Sequence, residues 1–169
     1  MKRLRVAVVV FVLVLLQTSL VAGLPIAGVR GDVVLLFAIA VGIARGRDDG
    51  AIAGFAAGLV LDFVVHGTPA GFFALGYTIT GYLVGMTQAT VLRAAWWIPV
   101  VTAVAGSGLG VVVLALLAKM VGIEGFLDVH LVTIAFVVAI VNGALVHPML
   151  RVVRWSMPPP QGAGRLVLS

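Results

Sequence analysis

The sequence predicts an all-α integral membrane protein: a compact bundle of six transmembrane helices with both termini in the cytoplasm. Composition is the first observation, because hydrophobic residues make up 62% of the 169-residue chain and charged residues only 10%. Soluble domains contain about 45–50% apolar and about 25% charged residues, so a soluble fold of this length could not bury so much apolar surface. The second observation is a series of six apolar stretches. The third is the uneven distribution of Lys and Arg between them.

Each apolar stretch is bounded by charged residues or by Gly and Pro, which favour turns. Residues 45–50, for example, are predicted to form a loop. A spanning helix needs about 20 residues, so the second stretch is short for a full crossing. The six stretches are residues 6–22, 33–44, 51–65, 70–91, 95–118 and 129–150. Residues 1–156 therefore form one predicted membrane domain. The Pro-rich residues 157–169 are expected to be a disordered cytoplasmic tail.

The first stretch follows a basic N-terminus and shares that feature with secretory signal peptides. The small-x-small pattern of a cleavage site is poor around residues 20–22, and five more apolar stretches follow. We therefore expect an uncleaved first helix rather than a removed signal.

The basic residues determine the predicted orientation. With the N-terminus inside, nine of the eleven Lys and Arg residues fall on cytoplasmic segments, and only Arg30 and Lys119 fall outside. This is the bias that the positive-inside rule describes. The nine are Lys2, Arg3, Arg5, Arg45, Arg47, Arg93, Arg151, Arg154 and Arg165. Four acids, Asp32, Asp62, Glu124 and Asp128, lie at or near the outer side, so both termini are predicted to be cytoplasmic.

Several classes of function are excluded by what the sequence lacks. It contains no cysteine, which excludes disulfides, zinc-thiolate sites and thiol nucleophiles. The pI of about 10.8 does not indicate nucleic-acid binding, because the basic residues lie between apolar runs rather than on one face. We find no metalloprotease motif and no Ser/His/Asp set. The sequence thus predicts no enzyme, no cofactor and no metal site.

Asp62 is the acid that lies inside an apolar run, where a charge costs at least about 2.5–3.5 kcal/mol near the bilayer centre. Three interpretations are open. The carboxylate caps a helix end or bonds to a neighbouring loop, it makes a polar contact with another helix or a partner, or it forms a proton or ion relay with His66 one turn later.

Small residues form stripes on three of the predicted helices. Gly50, Gly54 and Gly58 repeat every four residues, Gly81 with Gly85 repeats the spacing in the fourth stretch, and Gly106 with Gly110 repeats it in the fifth. Such stripes allow close approach of helix backbones in lipid. They favour packing within the bundle or, alternatively, docking onto another membrane protein. Asn142, deep in the sixth stretch, is expected to bond across to another helix.

Residues 30–85 resemble a known family. The resemblance rests on Asp32 before Val-Val-Leu-Leu, on the run Gly-Phe-Ala-Ala-Gly-Leu-Val-Leu-Asp over residues 54–62, and on Gly-Thr-Pro-Ala-Gly over 67–71. Ala-Leu-Gly-Tyr over 74–77 and Gly-Tyr-Leu over 81–83 continue the pattern. These features resemble the rod shape-determining protein MreD family. One departure is Gly31, where the family often has proline.

The resemblance implies a non-enzymatic scaffold of the bacterial cell-elongation machinery in the cytoplasmic membrane. Such proteins bind the single-span MreC and, indirectly, MreB and the RodA–PBP2 peptidoglycan synthase. Docking through glycine-lined helix faces, with contributions from Asp62 and the acidic loop 124–128, is the expected mechanism. The candidate structural or interaction residues are Asp32, Gly54, Phe55, Gly58, Asp62, Gly71, Gly81 and Gly85.

Two alternative functions stay open. The family is distantly similar in fold to the substrate-binding subunits of ECF-type vitamin transporters, which would need an outer ligand pocket. Tyr77, Tyr82, Trp96 and Trp97 are candidates to line it. The second alternative is a small proton-coupled transporter that uses Asp62 and His66.

Overall fold

The described part of the chain is entirely helical. The computed structural model describes residues 2–23, 32–65, 68–88, 96–123 and 131–157, and these contain six helices and no strand. The helices are α1 (Lys2–Gly23), α2 (Val33–Arg45), α3 (Arg47–Val64), α4 (Phe72–Gly85), α5 (Ile98–Val121) and α6 (Leu131–Ser156). Each of the six apolar stretches corresponds to one of them, which confirms the all-α prediction. His66, Glu124, Asp128 and the tail from residue 158 lie outside the described residues.

α2 is the centre of the bundle. Every residue from Val34 to Ile43 is buried, and all five other helices pack around it. A helix that is apolar on all sides is stable when it is enclosed. Its 13 residues extend for only about 20 Å, which is shorter than the roughly 30 Å hydrocarbon core of a bilayer. α2 is therefore an enclosed helix that is shorter than a full straight crossing, as its short apolar stretch had indicated.

A single residue joins α2 to α3. Gly46 has φ 97° and ψ −177°, a conformation that L side chains rarely adopt. Its N–H donates to the Gly42 carbonyl and its own carbonyl accepts from Gly50 N–H, both at 2.9 Å. α3 thus begins at Arg47, in the segment 45–50 that had been predicted as a loop. Asp48 and Asp49 in its first turn favour this start because negative charge stabilises a helix N-terminus.

Two helix pairs complete the structure. α3 packs along α4, and α5 packs along α6, while α1 covers one side of α2, α3 and α6. The α1 residues Val9, Val10 and Val14 face the bundle and are buried. Both pairs contact α2, so the whole fold is organised around that short helix.

The described surface is apolar along the helices, and the few polar side chains in the interior are small. Phe11, Phe55, Leu116 and Phe136 are each more than half exposed, whereas Thr80, Ser107, Asn142 and Ser156 are fully buried. Contiguous exposed apolar surface of this kind is uncommon on monomeric soluble proteins and often marks contact with a membrane or a partner. This distribution is typical of a protein whose surroundings are lipid.

Two helices are long and apolar enough to cross a membrane, Ile98–Val121 and the part of α6 from Ala135 to Ser156. Only 39% and 44% of their apolar windows is buried inside the protein, so most of each helix faces outward. Leu4–Ser19, Val33–Arg45 and Phe72–Gly85 are apolar but shorter. These features support membrane association.

Candidate functional site

Basic side chains gather at one end of the bundle, which we call the basic end (Arg5, Arg45, Arg47, Arg151 and Arg154). Contacts between helices bring these residues together. The Arg5 guanidinium carbon lies 5.3 Å from the centroid of the Trp155 ring, a cation–π distance. Arg45 Nη1 donates to the Met157 carbonyl at 3.2 Å. The start of α1, the α2–α3 turn and the end of α6 therefore meet at this end.

Two carboxylates mark the opposite end, where α2 and α4 begin. We call Asp32 and Asp62 the carboxylate clamps, because each accepts hydrogen bonds from the N-terminus of one of these helices. Such a terminus leaves its first N–H groups without intrahelical partners. In an apolar environment each unpaired group costs several kcal/mol. A carboxylate both accepts these N–H groups and opposes the positive end of the helix dipole.

Asp62 clamps α4 from the last turn of α3. Its Oδ1 accepts from Phe73 N–H and its Oδ2 from Ala74 N–H, both at 3.0 Å. The residue before α4 is Gly71, which has φ 91° and no side chain with which to cap the helix. Asp62 therefore supplies from a neighbouring helix the cap that α4 cannot supply itself. This is the capping interpretation among the three that the sequence left open.

Asp32 clamps α2 and also connects it to α4. Its Oδ1 accepts from Leu35 N–H at 2.8 Å, and its Oδ2 accepts from the Tyr77 hydroxyl at 2.5 Å. Gln17 of α1 adds a third contact, since its Oε1 accepts from Val33 N–H at 2.9 Å. Three helices are thus joined at the start of the buried core helix.

Sequence reasoning had missed two of the contacts at the start of α2. Tyr77 had been considered as a ligand-pocket residue, but it is buried and its hydroxyl is bonded to Asp32. Gln17 had not been considered at all. Gln17 could have been found from the sequence, because it is a polar residue inside the apolar run of α1. Such a side chain is expected to have a hydrogen-bond partner on another helix.

The glycine stripes of α3 and α4 face one another. A Cβ added at Gly58 would lie 2.6 Å from Ala74 Cα, and one added at Gly85 would contact the backbone of Arg47. Gly54 meets the Tyr77 backbone and Gly50 meets the Gly81 carbonyl in the same way. We call this contact the glycine interface. It occupies the face that had been a candidate for docking a partner, so these glycines act within the chain.

Phe55 differs from the other candidate residues. It belongs to the same sequence motif as Gly54 and Gly58, yet its side chain is 52% exposed on the outer face of α3. Neither the clamps nor the glycine interface uses it. Of the candidate residues, Phe55 is therefore the most exposed, and it is the one we consider for contact with another molecule.

The predicted cross-helix bond of Asn142 is confirmed. Its Nδ2 donates to Ser107 Oγ at 2.9 Å between α6 and α5, and both side chains are fully buried.

Within the described residues, no group of three or more His, Cys, Asp or Glu residues could hold a metal ion. In comparisons with known proteins, no family model, no curated protein and no solved structure matches this chain.

Proposed function

We propose that this chain is a multi-pass protein of the bacterial cytoplasmic membrane and an MreD-like, non-enzymatic scaffold of cell elongation. In this role it binds MreC and, through MreC, connects MreB and the RodA–PBP2 synthase to cell shape. The proposal starts from the resemblance of residues 30–85 to the MreD family and is supported by what those residues do in the fold.

One observation carries the proposal: the residues that resemble the family form a single structural unit, α2 to α4. Asp32 and Asp62 clamp the two short helices, and Gly71 begins α4 at positive φ. The remaining glycines, Gly54, Gly58, Gly81 and Gly85, form the glycine interface. Residues that act together in one structural unit support a fold shared with the MreD family better than isolated sequence matches do.

The orientation of the proposed scaffold follows from its charges. The basic end brings together arginines from the start of α1, the α2–α3 turn and the end of α6, and the clamps lie at the other end. The positive-inside rule places such a basic end in the cytoplasm. With that placement, the proposed topology has six crossings and both termini inside, and α2 and α4 are its short crossings.

Neither transporter interpretation gains support from the described contacts. Both oxygens of Asp62 accept backbone N–H bonds, which a proton relay would have to break. Tyr77, the ligand-pocket candidate, is committed to Asp32.

The test is co-purification in mild detergent of a tagged chain expressed with MreC, RodA and PBP2 from the same genome. We expect mass spectrometry to identify MreC, with or without the synthase. Recovery instead of an ATPase module with its coupling subunit would contradict the scaffold and support the vitamin transporter.

Phe55→Ala tests which surface binds MreC. Because Phe55 is exposed, its loss leaves the fold intact, and we expect MreC recovery to decrease. Phe63→Ala is the matched control, since Phe63 lies on the same helix, is 78% exposed and lies outside the family motif. An equal decrease in both variants would show that general apolar contact, and not Phe55, binds the partner.

A further inference from the structure

A cavity of about 450 Å³ opens at the basic end, where the α2–α3 turn meets the end of α4. Its volume lies within the range of roughly 300–1,000 Å³ that is common for small-molecule sites. The charged or polar residues that line it are Arg45, Arg47, Asp48, Asp49 and Gln88. None of the sequence motifs and neither clamp accounts for this cavity.

The charges around the cavity are of both signs and form two pairs. Arg45 and Asp49 form the inner pair, with Nε and Oδ2 2.5 Å apart and side chains 23% and 39% exposed. Arg47 and Asp48 form the outer pair, with Nε and Oδ1 3.7 Å apart and side chains 56% and 82% exposed. An exposed pair at this distance contributes little to stability. Arg47 and Asp48 can therefore separate and each bind a ligand group of opposite charge at little cost.

The cavity adjoins an apolar surface. The Arg47 guanidinium carbon lies 6.0 Å from the centroid of the Tyr82 ring on α4. Tyr82 and Leu83 are exposed on that helix, and Met86 is exposed directly after its end. A molecule whose charged group occupies the cavity would therefore lay an apolar part along α4.

We propose that the cavity binds the head group of an aminophospholipid. The phosphate would accept hydrogen bonds from Arg47, because guanidinium groups match phosphate oxygens well. The primary ammonium would donate to the Asp48 carboxylate, and the acyl chains would follow the exposed side of α4. Two arginines and two aspartates give the lining no net charge, which favours a zwitterionic head group over an anionic one. This inference rests on the membrane placement proposed above.

Native mass spectrometry tests the proposal on the full-length protein in detergent. The probes are phosphatidylethanolamine, phosphatidylcholine and phosphatidylglycerol with identical acyl chains, added at equal concentration. We expect phosphatidylethanolamine adducts to exceed phosphatidylcholine adducts by about two- to fivefold, the ratio that an exposed charge pair supports. The choline head group has no N–H with which to donate to Asp48.

Variants distinguish this site from general lipid adhesion. Asp48→Asn should remove the preference for phosphatidylethanolamine, and Arg47→Gln should weaken the binding of all three lipids, because all three carry the phosphate. Arg151→Gln is the control, because Arg151 is exposed at the same end but does not line the cavity. Equal binding of all three lipids, a preference for phosphatidylglycerol, or an equal loss in the Arg151 variant would overturn the proposal.

Membrane placement is tested separately by washing membranes with alkaline carbonate. A chain that stays in the washed membranes but shows no lipid preference would refute the head-group site and leave the membrane placement standing. A chain that the wash releases would refute both. Recovery of MreC is measured separately and does not depend on the lipid preference.

Discussion

The two helix pairs of this protein are held together in different ways. In the α3–α4 pair, glycines bring backbone against backbone, so a Cβ at Gly54 or Gly58 would meet backbone atoms. In the α5–α6 pair, Gly143 of α6 meets only side chains of α5, those of Val104 and Val100. A side chain can rotate away from an added methyl group, whereas a backbone cannot. The same small residue is therefore a strict requirement in one pair and a replaceable one in the other.

The polar contacts also make the α3–α4 pair the more sensitive one, because they involve the backbone in that pair and only side chains in the other. Asp62 joins α3 to α4 through two hydrogen bonds to backbone N–H groups that have no intrahelical partner. Asn142 joins α6 to α5 through one bond to a serine hydroxyl in the middle of long, regular helices. Loss of Asp62 would expose a helix terminus, and loss of the serine bond would not. The α3–α4 pair should accordingly be the more sensitive of the two to substitution.

Gly58→Leu should have the largest effect of any substitution considered. Its Cβ alone would lie 2.6 Å from Ala74 Cα, so α3 and α4 would have to separate. We expect a loss of more than about 4 kcal/mol of stability and no recovery of monodisperse protein by size-exclusion chromatography. Gly108→Leu in α5 is the matched control, because no atom lies within 4 Å of a Cβ at Gly108. Equal yields of the two variants would refute the proposed difference between the pairs.

Asp62→Ala should be next in size. It leaves the N–H groups of Phe73 and Ala74 without their acceptor, and an unsatisfied buried group costs about 1–3 kcal/mol. We expect a clear decrease in thermal stability, measured by light scattering of the detergent-solubilised protein. Asp62→Asn should lose less, since one oxygen still accepts. Phe63→Ala, at the exposed neighbouring residue, should change little, and a decrease as large as that of Asp62→Ala would contradict the clamp.

Tyr77→Phe tests the other clamp with a smaller change. It keeps the ring, whose centroid lies 5.8 Å from that of Phe73, and removes only the hydroxyl that donates to Asp32. Hydrogen bonds to charged groups contribute about 1.5–3 kcal/mol, and we expect a loss near the lower limit. In a double-mutant cycle with Asp32→Asn, the two losses should not add. Additive losses would show that the hydroxyl and the carboxylate act independently.

The sequence predicted the helices well because each is a separate apolar run with clear boundaries. It did not predict that α2 is enclosed, since a short apolar run without periodicity looks the same in a protein core and in lipid. It also placed residues 47–50 in a loop. The first-turn acids Asp48 and Asp49 are compatible with either a loop or a helix start, and the single-residue turn at Gly46 decides between them.

The candidate site was predictable in residue type but not in pairing. The spacing of Gly50, Gly54 and Gly58 indicated a close helix contact, yet a small-residue stripe fits any neighbouring helix, so α4 could not be named as the partner. Asp62 was recognised as exceptional because it is an acid in an apolar run. The bond from Tyr77 to Asp32 spans 45 positions, and only the packing of α4 against α2 brings its two ends together.

Ser107→Ala should have the smallest effect and thereby sharpen the contrast between the two pairs. It removes the acceptor of the Asn142 bond, and polar contacts between helices in membranes average about 0.6 kcal/mol. The long faces of α5 and α6 stay packed, with Val111 against Val138, so we expect a shift in thermal stability close to the limit of detection. A loss as large as that of Asp62→Ala would mean that one buried amide holds this pair as firmly as a clamp holds α4. The sensitivity of the α3–α4 pair would then come from the general cost of losing a buried hydrogen bond. It would not come from leaving the N-terminus of α4 without its cap in an apolar environment.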